Sequence, residues 1–166
     1  MNGLVYWPNP ILKEVSRETT IEEAKALLPQ MWETLEKHPG VGLSAIQIGK
    51  PLRFFVMDSR TEHKTKYAFM NPEIVELIGD LVEVEEGCLS VPGIYEKIMR
   101  YPEIIIRAIN IERETEPRLF QLQNLEAQCA LHELEHLEGK MFTDGYGPVK
   151  RDIVKRKILK HLRSSK

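Results

Sequence analysis

The chain has little cysteine: only Cys88 and Cys129 in 166 residues. That excludes a small secreted domain stapled by several disulfides and fits a reducing cytosol. No apolar run approaches the roughly 20 residues of a membrane-spanning helix. The stretch Met1-Asn2-Gly3-Leu4-Val5-Tyr6 lacks the basic start and apolar core of a signal peptide. Repeats, low-complexity tracts and linkers are absent as well. What remains is 42% hydrophobic and 29% charged, the make-up of a soluble globular protein with enough chain for one core. The expected location is cytoplasmic, with neither membrane nor DNA as a partner.

Charge is unevenly placed. Residues 150–166 hold eight Lys/Arg and one Asp, a net of +7, which leaves −9 on the remainder of a chain whose total is −2. A basic tail on an acidic body suggests a separate role for the tail. The division expected is a body at 1–149 and a basic helix at 150–166, within the same domain or appended to it.

Thr20-Ile21-Glu22-Glu23 reads as a capping box opening a helix. Ala24, Leu27, Leu28, Met31 and Leu35 keep helical phase to about Lys37, with a kink expected at Pro29. Strands are expected at Arg53–Met57, Tyr67–Met70, from Leu81 into Cys88, and from Glu103 to Glu112. A helix follows from Leu122 to Glu138, with Asn124 as its cap and Gly139 as its stop. Lys150 to Leu162 forms the basic helix, with Val154, Ile158, Leu159 and Leu162 as its apolar stripe. Helix, several strands, then a helix packed on them is an α+β order.

The chemistry sits in His132-Glu133-Leu134-Glu135-His136. Positions i and i+4 share one helical face, so His132 and His136 can hold one metal ion with Glu133 beside it as a base. Leu125, Ala127, Cys129, Ala130, Leu131, Leu134 and Leu137 make this segment largely apolar. A solvated face is a poor reading of it, because a buried helix should not carry two histidines and two glutamates unless something satisfies them. Two imidazoles leave a site incomplete, since a catalytic metal usually takes three protein ligands and keeps one position open. Cys88 is the best third candidate. Its neighbours Glu85, Glu86, Gly87 and Ser90 suit a thiolate on a strand end or loop better than a core position.

Three segments together resemble one family. Gly40-Val41-Gly42-Leu43-Ser44-Ala45-Ile46-Gln47 resembles the GxGLAAxQ motif of peptide deformylases. Glu86-Gly87-Cys88-Leu89-Ser90 matches their EGCLS motif and 132–136 their HExxH motif, in the same order. The resemblance runs from about Asn9 to Asp144. Three departures stand out: Ser44 in place of the usual alanine, Glu135 in place of the usual aspartate, and Tyr95 where many bacterial members carry an arginine that reaches the substrate backbone. The resemblance implies a single α+β domain, with mostly antiparallel strands around the HExxH helix. It also implies removal of the formyl group from N-formylmethionyl nascent peptides, with ferrous iron commonly the native metal and zinc, nickel or cobalt able to replace it.

The residues suit that reaction. A bound divalent metal lowers the pKa of its water to roughly 7, and that water would attack the formyl carbon. Glu133 can take the proton and pass it to the leaving amine. Gln47 through its side-chain amide and Leu89 through its backbone N–H can stabilise the oxyanion. Candidate substrate contacts are Val41, Gly42, Leu43, Glu86, Cys129 and Tyr95, with the Val41-Gly42 backbone pairing with the peptide as an added strand. A C-terminal helix binds the ribosome in some bacterial members, and the basic tail resembles it in position and charge. Removing the tail should then leave hydrolysis of a short peptide largely intact. Two other readings compete. An HExxH zinc endopeptidase would take a third His or Glu downstream, where His161 and Glu138 are poor candidates. A non-catalytic ribosome- or peptide-binding protein would be expected to have lost Glu133 or Gln47.

Overall fold

Phe54, Phe55, Val56 and Met57 are all fully buried, yet they belong to two different cores. Successive residues of a strand point to opposite faces. Phe54 and Val56 therefore join Ala24, Met31 and Leu35 on one side, while Phe55 and Met57 join Ala127, Ala130 and Leu134 on the other. A strand buried on both faces reads as a continuous apolar run, and this one is the middle layer of a sandwich between two helices.

The computed structural model describes residues 3–60 and 65–165. Met1 and Asn2, at the start of the stretch expected to lack a signal peptide, and Lys166 of the basic tail lie outside the described residues. The first helix, α1, spans Ile21–Glu36, and the Thr20 side chain accepts from the Glu23 N–H as the capping box predicts. The helix continues through Pro29. The strands are β1 (Gly42–Ser44), β2 (Phe54–Asp58), β3 (Lys66–Ile78), β4 (Val82–Cys88), β5 (Val91–Arg100), β6 (Glu103–Asn110) and β7 (Arg118–Gln123). Two helices follow, α2 (Asn124–Leu137) and α3 (Pro148–Ser164). An antiparallel five-stranded sheet runs in the order β1-β2-β3-β6-β7, and β4 and β5 form a separate hairpin.

Several elements differ from the sequence expectation. β3 extends well past Met70, because it pairs first with β2 and then with β6, and the ladder shifts register around Pro72. A proline in a strand belongs at such an irregularity. β5 is not evident in the sequence because Pro92-Gly93 and Glu96-Lys97 break its alternation. β7 takes Leu122 out of the expected helix. Asn124 does not cap α2 from outside. It is the first residue of the helix, with φ +53° and its N–H bonded to Pro102 O at 2.8 Å, a left-handed turn that asparagine tolerates. The helix stop is as expected: Gly139 has φ +70°, and a Cβ there would lie 2.4 Å from the Lys13 carbonyl oxygen.

A third apolar cluster holds the hairpin and the tail together. Cys88, Val91 and Ile94 pack with Trp7, Leu12, Met141, Val154 and Ile158. The basic helix is therefore seated on the body through Val154 and Ile158. Among the described residues no helix is long and apolar enough to cross a membrane.

Candidate metal centre

Donor atoms of Cys88, His132 and His136 lie within 4.8 Å of one another. Cys88 stands at the end of β4, and its Sγ is 3.3 Å from His136 Nε2. The two histidines are one turn apart on α2, with ring centroids 4.9 Å apart. One thiolate and two imidazoles converging from a hairpin and a helix match the donor set of an open divalent-metal site. The two rings differ in their surroundings. Burial works against a charge on His132, but the Cys88 sulfur and the Glu86 carboxylate outweigh it and hold the ring's pKa well above its ordinary value. Burial and the His132 charge hold the pKa of His136 well below its ordinary value.

His132 is oriented from behind. Its Nδ1 donates to Glu86 Oε1 at 2.8 Å, which leaves Nε2 for a metal. Glu86 is in turn gripped by Arg100, Nε to Oε2 at 2.6 Å and Nη2 to Oε1 at 2.9 Å. Burial alone would raise the Glu86 carboxyl, but Arg100 and His132 together bring it down to about 2. The other edge of the Arg100 guanidinium binds Glu135 of α2. Only 6% of Arg100 is exposed, so a charged chain Glu135–Arg100–Glu86–His132 ties α2 to the hairpin inside the protein. Arg100 was not among the expected site residues, since nothing local marks the last residue of β5. The sequence clue is Glu135, an acid in the largely apolar run from Leu125 to Leu137.

Glu133 lies on the same helix, 3% exposed. Burial lifts its carboxyl to about 7, against the pull of the His132 charge and the Ser44 hydroxyl. Its Oε2 is buried without a protein partner among the described residues. A base of that kind can exchange a proton near neutral pH. Gln47 sits in a 3-10 turn, Ala45–Ile48. Its Oε1 accepts from the Ser44 N–H at 3.0 Å and from the Ser44 hydroxyl at 3.1 Å. Its Nε2 donates to Ser90 Oγ at 3.1 Å and points at Cys88 Sγ, 3.6 Å away. Leu89 occupies the tight turn between β4 and β5, next to Cys88.

These groups open into a cleft of about 1180 Å³. Val41, Gly42, Gln47, Glu86, Cys88, Leu89, Tyr95, Cys129, His132 and Glu133 all line it. Gly42 has to be glycine, because a Cβ would meet Cys129 Sγ at 2.5 Å and Glu133 Oε1 at 3.1 Å. Leu43 is a correction. It is expected in the pocket wall, but strand alternation turns it away, fully buried beside Ala24 and Met31 of the α1 core. Glu86 lines the cleft with a carboxylate that is held by Arg100 and His132. Tyr95 is mostly exposed at the rim. The tail helix reaches the cleft as well, through His161, Leu162 and Ser165.

The chain is similar to the proteins of one family. The family model described as Polypeptide deformylase matches residues 1–152. Peptide deformylase of Phenylobacterium zucineum (strain HLK1) is 40% identical over 162 residues, covering 95% of each chain. The crystal structure of a peptide deformylase from Legionella pneumophila superposes with a TM-score of 0.86 at 34% identity, covering 98% of this chain and 97% of that one. That of peptide deformylase from Ehrlichia chaffeensis in complex with actinonin gives 0.85 at 30% identity, covering 95% of each.

Two outcomes are expected. Cys88→Ala should sharply lower bound metal, measured by elemental analysis after gel filtration, since two imidazoles chelate poorly, whereas Cys129→Ser should keep it. Stoichiometric metal in the Cys88 variant would remove the thiolate from the ligand set. Arg100→Met leaves Glu86 buried and unpaired. It should cost about 3–5 kcal/mol in denaturant unfolding and weaken metal binding by about 10–100-fold; an unshifted unfolding midpoint would show the ion chain to be dispensable.

Proposed function

The chain belongs to the peptide deformylase family, and on that premise we propose that its cleft hydrolyses the formamide at the start of a new polypeptide with Cys88, His132 and His136 as metal ligands. The enzyme removes the formyl group from the N-terminal formylmethionine of newly made peptides. The observation that carries the residue assignment is the convergence of those three donors within 4.8 Å beside a buried carboxyl.

A divalent ion held there would polarise the formyl carbonyl and acidify water at neutral pH. Glu133 takes a proton from the attacking water as the water oxygen bonds to the formyl carbon. It returns that proton to the peptide nitrogen as the C–N bond breaks, so formate and a free amino terminus leave. Gln47 Nε2 and the Leu89 N–H donate to the carbonyl oxygen as its charge grows. Pinning of Gln47 Oε1 by Ser44 favours the amide nitrogen facing Cys88. Cys129, Val41 and Leu125 offer an apolar wall to the methionine side chain. β1 is an edge strand of its sheet, and the Val41-Gly42 backbone beside the cleft suits pairing with an extended peptide.

A mixed thiolate–imidazole set suits ferrous iron, our choice for the native metal, and also admits zinc, nickel and cobalt. The place of action is the cytoplasm, where nascent chains emerge. The catalytic body of 1–149 and the basic segment 150–166 belong to one domain, a reading supported by the burial of Val154 and Ile158 of α3. The exposed face of α3, carrying Arg156, Lys160 and Arg163, would meet ribosomal RNA phosphates. Neither an endopeptidase nor a non-catalytic reading is favoured, since the relatives over almost the whole chain are peptide deformylases.

Glu133→Gln should keep its metal and lose about 10²–10⁴-fold in turnover of formyl-Met-Ala-Ser. Activity within tenfold of wild type would mean that another group moves the proton. Wild type should strongly prefer that peptide to its acetyl counterpart, and equal rates would contradict the tight carbonyl site. Truncating the tail would strip Val154 and Ile158 from the core, so charge reversal is the cleaner test of the ribosome contact. Arg156, Lys160 and Arg163 changed together to Glu should abolish co-sedimentation with ribosomes at low salt while short-peptide hydrolysis continues. Undiminished co-sedimentation would leave α3 a packing element only.

A further inference from the structure

Gln47 is an amide with almost no access to water, and the two serines beside it, Ser44 and Ser90, are fully buried. A carboxamide has two acceptor positions on its oxygen and two N–H groups on its nitrogen, and buried polar groups of this kind need partners. All four are accounted for. Oε1 accepts from the Ser44 N–H at 3.0 Å and from the Ser44 hydroxyl at 3.1 Å. One Nε2–H goes to Ser90 Oγ at 3.1 Å, and the other faces Cys88 Sγ, 3.6 Å away. Sulfur is the weakest acceptor of the set, so the fourth N–H is the one able to turn to a substrate oxygen.

Both ends of this clamp are set in backbone. Ser44 closes β1, where it pairs with Phe55 of β2. Ser90 lies in the turn between β4 and β5. The N-terminal segment joins the two turns: the Val5 N–H donates to Gln47 O at 2.7 Å, and the Trp7 N–H to Ser90 O at 2.9 Å. Of the two donors on Oε1, only the hydroxyl depends on the side chain at 44. Alanine, the usual residue of the motif at that place, would keep the N–H and lose the hydroxyl.

We propose that Ser44 is a positioning residue for the hydrolysis, acting through its hydroxyl on the Gln47 amide. The inference rests on the deformylase reading and concerns how that site holds its oxyanion donor. The terminal torsion of a glutamine is broad, so a single bond to Oε1 leaves the amide plane free to twist about it. A second donor from the same residue fixes the plane. It also draws electron density toward Oε1, which makes the opposite Nε2–H a stronger donor. The gain is felt most when the formyl oxygen takes on negative charge, because a preorganised donor need not reorient at that moment.

The test joins kinetics on formyl-Met-Ala-Ser with amide exchange measured by NMR on the zinc-loaded full chain. Ser44→Ala should lower kcat by about 3–10-fold with KM kept, the worth of one hydrogen bond made stronger in the transition state. Its melting curve and metal content should match wild type. In a Gln47→Met background, which keeps side-chain length and removes the amide, Ser44→Ala should cost nothing further. The Gln47 Nε2 protons, identified by their loss in Gln47→Met, should exchange with deuterium faster in Ser44→Ala. If Ser44→Ala does not fold, Ser44→Cys, close in size and a weaker donor, carries the same comparisons. Unchanged kcat overturns the proposal. So does an equal loss in the Gln47→Met background, which would route the hydroxyl through Glu133, whose carboxyl it also pulls. Unaltered amide exchange overturns it without reference to activity. Failure of wild type to cleave formyl-Met-Ala-Ser overturns the deformylase reading itself, and with it any role of Ser44 in that reaction.

Discussion

The buried guanidinium of Arg100 is the constraint on which the site depends. A helix that brings two histidines and a glutamate against an apolar sheet leaves charge and hydrogen-bonding capacity that water cannot satisfy. Arg100 resolves this by binding Glu86 from the hairpin and Glu135 from α2 at once. Buried ion pairs are weak evidence for net stability, because desolvation offsets much of the attraction. Their value here is positional. Glu86 can orient His132 only if Glu86 is itself held, and it is held from a strand end fourteen residues away in sequence. Glu135 is the longer acid where the family usually has aspartate, and its carboxylate still reaches Arg100 with both oxygens.

The metal centre lies where three separate packing clusters meet. α2 brings His132, Glu133 and His136 from the core on one face of the sheet. The segment from β1 through Gln47 borders the α1 core on the other face. Cys88 belongs to the third cluster, shared by the hairpin, the N-terminal segment and α3. Because each cluster is independently packed, the donors are placed by rigid elements and not by long loops. Preorganisation of that kind is what hydrogen-bond donors aimed at a developing oxyanion require. Gly42 shows how close the approach is, since no side chain fits between β1 and Cys129.

Burial also divides the labour among the acids. Glu86 is buried with two cationic partners, which bring its carboxyl down to about 2 and keep it a fixed anchor. Glu133 is buried with weaker compensation and is lifted to about 7, where it can give and take a proton. Two buried glutamates thus differ in their proton affinity because one is gripped by a guanidinium and the other is not.

Spacing within a single helix was readable from the chain alone. The rise and turn of an α-helix place positions 132 and 136 together whatever surrounds them, and the polar setting of Cys88 marked it as the third candidate. The capping box at Thr20, the stop at Gly139, the α+β class and the family followed from equally local signals. Elements whose register depends on partners were less legible: β5 with its broken alternation, β7 absorbed into the expected helix, and Asn124 at the start of α2. The same holds for direction. Leu43 sits in the right motif but on the wrong side of the strand, and only the pairing of β1 with β2 decides which face is which. Arg100 became part of the site through the hairpin register that pairs Val82 with Arg100, and α3 reached the cleft through its packing on β5. By itself the sequence determined the candidate donors and, through its three motifs, the family, because those rest on residue type and spacing along the chain; the tertiary structure decided what orients the donors and what walls the cleft, because those contacts join residues that only folding brings together.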